Sequence, residues 1–114
     1  MKVKKLNLKL LDEDSGKVKW FHLCYISEEL YNTFCEKFDV DAVSFSDYVS
    51  DWMKLDFNMN LTMTTRKDLC IMKEVVKNKY MELYPTIYYN TKIDTHGWVR
   101  VWISQKMEAE LKNV

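Results

Sequence analysis

Polar and apolar residues alternate over residues 3–11, with Leu6, Leu8 and Leu10 on one parity and Lys5, Asn7 and Lys9 on the other. A period of two predicts a β-strand with one buried face. Asp12-Glu13-Asp14-Ser15-Gly16 follows as a turn cluster. Val18 to Ile26 is again strand-like, carrying Trp20, Phe21, Leu23 and Tyr25, and both its faces are apolar, which places it inside the sheet. The two segments form a long hairpin.

The period then lengthens. Ser27 followed by Glu28 and Glu29 reads as an N-cap with acids in the first turn. Leu30, Tyr31, Phe34, Cys35 and Phe38 are the stripe of a helix ending near Asp39. Ser44 or Ser46 is expected to cap a second helix, with stripe Phe45, Tyr48, Val49, Trp52 and Met53 and an end near Phe57. After a loop over 58–63, Thr64 or Thr65 caps the longest helix, whose stripe is Leu69, Met72, Val76, Tyr80 and Leu83, and Pro85 ends it. Ile87–Ile93 and Trp98–Ile103 are predicted as two further strands joined by a turn at Asp94-Thr95-His96-Gly97, with a short closing helix over Lys106–Lys112. The order ββ-ααα-ββ, with that C-terminal helix as an optional last element, predicts an α+β fold. One antiparallel sheet is built from two hairpins, and the helices pack on one face. A chain of 114 residues accommodates a single domain over 1–114.

Composition narrows the setting. A chain that is 47% hydrophobic is too apolar for a disordered segment. The three cysteines, Cys24, Cys35 and Cys70, are odd in number and widely spaced, so no disulfide framework is implied. Met1-Lys2-Val3-Lys4-Lys5 is followed by no apolar run, so no signal peptide is expected, and no apolar stretch is long enough for a membrane span. The expected location is the cytoplasm. The aromatic share of 14% leaves room for a homodimer or a bound partner.

Net charge is zero, but its distribution is uneven. Residues 1–19 hold six basic and three acidic groups, residues 28–57 hold two basic and eight acidic, and residues 66–92 hold six basic and three acidic. Glu28, Glu29, Glu36, Asp47 and Asp51 thus belong to an acidic helix pair that would suit a basic protein surface. Arg66, Lys73 and Lys77 line up along the third helix and could grip phosphates.

Catalytic chemistry finds little support. Only two glycines occur, and there is no phosphate loop or nucleophile elbow. Asp47 and Asp51 stand one helical turn apart, on a polar face rather than in a pocket. His22 and Cys24, two apart on a strand, are expected to share a face, yet Cys35, Cys70 and His96 fall at no zinc-module spacing. Neither a metal nor a cofactor is expected. On the last strand, Trp98, Arg100 and Trp102 are expected to point outward as an aromatic-basic row, a stacking platform or a hot spot for a partner.

Phe21-His22-Leu23-Cys24-Tyr25-Ile26-Ser27-Glu28-Glu29-Leu30, followed by Ser44-Phe45-Ser46-Asp47-Tyr48-Val49, resembles a ribbon-helix-helix repressor over about 35 residues. The resemblance implies a strand that reads the DNA major groove. Here the matching outward positions are Leu23 and Tyr25, the helix pair is acidic, and a preceding strand pairs where that family dimerises.

The expected function is a small non-enzymatic regulatory or inhibitory protein that binds a macromolecular partner, foremost a protein, without a membrane. Such a chain would suit a phage or mobile element that inhibits a host protein. The alternative is a nucleic-acid-binding regulator using the ribbon-helix-helix-like segment, or the basic helix with tryptophan stacking.

Overall fold

The structure is a computed structural model and describes residues 2–61, 63–64, 66–87 and 92–113. Strands β1 (Val3–Asp12) and β2 (Val18–Ser27) form the expected antiparallel hairpin. Asp12 organises the turn: its amide donates to the Lys17 carbonyl at 2.9 Å, and its carboxylate accepts from Ser15 Oγ at 2.9 Å and pairs with Lys19 at 3.0 Å. Gly16 closes the turn at φ +70, a left-handed conformation that costs glycine nothing.

Leu6 faces Cys24, but Asn7 faces His22, so Leu23 is an extra residue on β2. Such a bulge reverses side-chain parity along the strand. Leu23 and Cys24 are consequently both fully buried, which explains why β2 reads as apolar on both faces. His22 and Cys24 therefore stand on opposite faces, not on the shared face that strict alternation implies.

Helix α1 (Glu28–Phe38) starts where Ser27 Oγ accepts the Leu30 amide at 3.3 Å, and it ends at Asp39, whose φ of 53 is left-handed. Helix α2 (Ala42–Phe57) is capped by Asp41, whose carboxylate accepts the Ser44 amide at 2.7 Å. The expected caps Ser44 and Ser46 lie inside this helix, and Ser46 instead serves the sheet, where its hydroxyl accepts the Lys9 amide at 2.9 Å. A two-residue strand, β3 (Met63–Thr64), runs parallel to β1 at Leu11–Asp12 and gives the sheet order β2-β1-β3. Helix α3 (Arg66–Leu83) follows; of its two expected caps, Thr64 belongs to β3 and Thr65 lies outside the described residues.

The second expected hairpin is not formed: its strand Trp98–Ile103 is helical, and most of its strand Ile87–Ile93 falls outside the described residues. Residues 85–87 form a helical turn, residues 88–91 lie outside the described residues, and α4 (Thr95–Lys112) occupies the expected strand Trp98–Ile103 together with the closing helix. Asp94 is the N-cap, accepting the Gly97 amide at 2.7 Å. Trp98, Val99, Trp102, Ile103 and Met107 are all fully buried. That spacing follows the 3.6-residue period and outweighs the β-propensity of the Trp-Val-Arg-Val-Trp-Ile run.

The fold is α+β, with helices packed over the face of the hairpin that carries Leu6, Leu8 and Leu10. Phe34 of α1 is at the centre of an aromatic cluster, its ring 5.8 Å from Phe45, 5.3 Å from Tyr48 and 5.9 Å from Trp52 of α2. Burying a side chain of this size stabilises by about 1.5–3 kcal/mol. Helices α3 and α4 lap around the outermost strand β2, where Lys73 Nζ donates to the His22 carbonyl at 2.7 Å.

Candidate binding surfaces

The face of the hairpin opposite Leu6, Leu8 and Leu10 is left to solvent over much of its area. The register places Val3, Lys5, Asn7, Lys9 and Leu11 of β1 on it, opposite Ser27, Tyr25, His22, Trp20 and Val18 of β2. Four of these are large apolar side chains about half exposed: Val3 at 50%, Val18 at 56%, Trp20 at 49% and Tyr25 at 50%. The Lys9 ammonium lies 6.0 Å from the centroid of the Trp20 ring, a cation–π arrangement. None of the ten residues on this face is acidic.

The start of α4 borders the same face. Tyr25, Ile93, Asp94, His96, Gly97 and Arg100 line a shallow hollow of about 320 Å³. Gly97 is needed here, because a Cβ would collide with Ile93 Cγ2 and crowd the capping carboxylate of Asp94. Arg100 is exposed, whereas Trp98 and Trp102 are fully buried on the other side of the helix. The aromatic-basic row expected on a strand is thus dismantled. A helix puts residues four apart on one face and turns the residue between them away, so both tryptophans enter the core and only Arg100 can touch a partner.

Of the acidic positions, Glu29, Glu36, Asp47 and Asp51 are exposed and Glu28 is half-buried. Among the described residues none of the five takes part in an ion pair. Leu55, 78% exposed, and Val43 add apolar surface to α2.

The basic row on α3 is divided by its environment. Arg66 is exposed, Lys77 is half-buried and 3.9 Å from Glu74, and Lys73 is buried. Lys73 reaches across to β2 and α4, with its Nζ 3.2 Å from His96 Nε2. The His22 and His96 rings lie 5.3 Å apart. Burial, helped by the neighbouring charge of Lys73, holds the His22 imidazole below the usual histidine range, and burial also pushes the Lys73 ammonium down. Sequence reasoning missed this three-residue base cluster. Its signal, a lysine beside the apolar stripe of α3, is indistinguishable in sequence from a solvated one.

A groove of about 700 Å³ opens between β2 and the first half of α3, with Lys19, Trp20, His22, Arg66, Cys70 and Lys73 on its walls. Asp12, Asp14, Ser15, Phe21 and Leu69 complete it. Among the described residues no group of three His, Cys, Asp or Glu side chains converges as a metal site. The Cys24 thiol is pushed up to about 12 by burial, which keeps it protonated. No described helix is long and apolar enough to cross a membrane.

Comparison with protein-family models, curated proteins and solved structures finds no match.

Proposed function

We propose that this protein is a non-enzymatic regulator or inhibitor that binds another protein through the solvent-facing side of the β1–β2 hairpin. The observation that supports this reading is the set of half-exposed apolar side chains Val3, Val18, Trp20 and Tyr25 on a single sheet face. Exposed apolar side chains gathered on one face mark interaction sites, and Trp and Tyr dominate binding energy where they occur. Lys5 and Lys9 on the face, with Arg100 beside it, match a partner whose own surface is acidic. The mechanism is steric: the hairpin covers a working surface of the target, as suits a phage or mobile-element inhibitor of a host protein in the cytoplasm. The acidic helix pair, with Glu29, Glu36, Asp47 and Asp51 free of ion pairs among the described residues, offers a second contact to the same or another copy.

Nucleic-acid binding is the second reading, favoured by one specific observation. The same face combines two aromatic rings with two lysines and no carboxylate, a composition that also stacks bases and neutralises phosphates.

The test places a photo-crosslinking residue at Trp20 and, as control, at the exposed Glu82 on α3. Expected is a protein adduct specific to position 20, lost when Tyr25 is also changed to Ser. Titration with random single- and double-stranded DNA and RNA at two salt concentrations runs alongside. Binding that weakens steeply with salt and needs Trp20 would replace the protein reading with the nucleic-acid one.

A further inference from the structure

A buried lysine normally stands against a carboxylate, because an ammonium withdrawn from water is costly unless an opposite charge compensates it. Lys73 departs from that rule. It is 8% exposed, yet among the described residues its Nζ meets only the His22 carbonyl at 2.7 Å and His96 Nε2 at 3.2 Å, neither of them a carboxylate. Among the described residues no carboxylate forms an ion pair with it. An ammonium carries three N–H donors, so one remains for a further acceptor.

That acceptor would come from the groove between β2 and α3, which Lys73 lines. Arg66, exposed, is on the same wall seven residues earlier, about 10 Å along the helix axis. Lys19 is already neutralised by Asp12 at 3.0 Å, and the Asp12 carboxylate is occupied by Ser15 and the Asp14 amide. Asp14 is the remaining acid on the rim. His22, also on the wall, has its Nδ1 buried without a hydrogen-bond partner among the described residues. Two cations without an ion pair among the described residues, an unsatisfied imidazole nitrogen and the half-exposed Trp20 therefore surround a space of about 700 Å³. Small-ligand sites span roughly 300–1,000 Å³.

We propose that this groove binds a phosphorylated small molecule of nucleotide size, with Lys73 and Arg66 holding its phosphate oxygens and Trp20 flanking its ring. The bound phosphate is the counter-ion that Lys73 lacks among the described residues. Charge-assisted N–H···O bonds to phosphate are about twice as strong as neutral ones, and Arg adds a forked geometry. Lys73 and Arg66 lie outside the ten-residue open face, whereas Trp20 and His22 belong to both surfaces, so Arg66→Gln separates the two sites: it should lose the phosphate ligand and keep the protein partner.

The test is calorimetric titration of the full chain with inorganic pyrophosphate and with adenosine diphosphate at pH 7.5, paired with thermal melts. Expected is saturable one-to-one binding of both probes and a rise in Tm that follows their concentration. Arg66→Gln, at an exposed position, should fold normally and weaken binding at least tenfold. Lys73→Met should abolish binding while its ligand-free Tm equals or exceeds that of the parent, because it removes an uncompensated buried charge. Absence of saturable heat up to millimolar probe, or affinity unchanged in Arg66→Gln, would overturn the site. So would a Lys73→Met chain whose Tm falls as for a broken ion pair, since Lys73 would then be satisfied within the fold. A Lys73→Met chain that fails to fold counts as such a fall, and Arg66→Gln tests the phosphate contact separately.

Discussion

The indole N–H of Trp102 donates to Asp56 Oδ2 at 2.8 Å, fastening the middle of α4 to the last turn of α2. Lys106 takes the other carboxylate oxygen at 3.2 Å, and Lys79 of α3 donates to the Asp56 carbonyl at 2.8 Å. One residue thus joins three helices. Trp102→Phe keeps the ring in the core but deletes the donor, and should cost about 1–3 kcal/mol. Urea denaturation followed by circular dichroism measures it. A change under 0.5 kcal/mol, roughly the scatter of neutral surface substitutions, would show that the bond is dispensable.

Ser46 takes the Lys9 amide at 2.9 Å from within a helix, a bond between elements far apart in sequence. Ser46→Ala should leave a half-buried donor without an acceptor and lower stability by about 1 kcal/mol. Hydrogen exchange gives the sharper readout: the Lys9 amide should exchange faster in the variant while the Leu8 amide is little altered.

Gly97→Ala places a methyl against Ile93 Cγ2, at the N-cap of α4. Alanine ordinarily stabilises helices relative to glycine by about 1 kcal/mol. Here the sign should reverse, with a lower urea midpoint. Ile93→Val, which leaves a branched side chain in place, should not rescue it, whereas Ile93→Ala should.

The depressed His22 fixes a pH dependence. Its imidazole is held low first by burial, then by Lys73, His96 and Lys5. The unfolded chain therefore binds the proton more readily than the folded one. The contribution is fully present above the ordinary histidine value of about 6.5 and is lost as pH falls through the folded value. Stability should decline from about pH 6.5 downward, and His22→Gln should flatten that part of the curve.

Asp41→Ala should cost about 1 kcal/mol by removing the cap of α2. Ser44→Ala should cost less, because it removes a hydroxyl contact to Asp41 but keeps the amide that the cap accepts. Thermal melts of the two variants measured in parallel decide the order.

β1, α1 and α3 were legible from one clear period each, and α2 from its stripe although its cap is Asp41 rather than Ser44 or Ser46; β2 was legible from its β-branched and aromatic run rather than from alternation. The stretch from Trp98 to Ile103 carries two periods. Alternation of bulky and small or charged residues matches a strand, while Trp98, Val99, Trp102, Ile103 and Met107 match a buried helical stripe. Local pattern could not arbitrate, and Asp94 as an N-cap was hidden in what resembled a turn. The bulge at Leu23 was equally invisible, since nothing in a run of apolar residues marks where parity slips. The open sheet face followed from that hairpin, but its exposure depended on where the helices settled. With α4 taking up both tryptophans inside, Trp20 and Tyr25 are the aromatic residues left half-exposed on the hairpin.

The amide of Lys9 and the carbonyl of His22 are each occupied by a helix side chain, Ser46 on the β1 side and Lys73 on the β2 side. An arriving polypeptide cannot extend a ladder whose rungs at these points are already taken. Strand addition is therefore interrupted at one point on each edge of the hairpin, and misfolded copies are denied those rungs as a template for fibre growth.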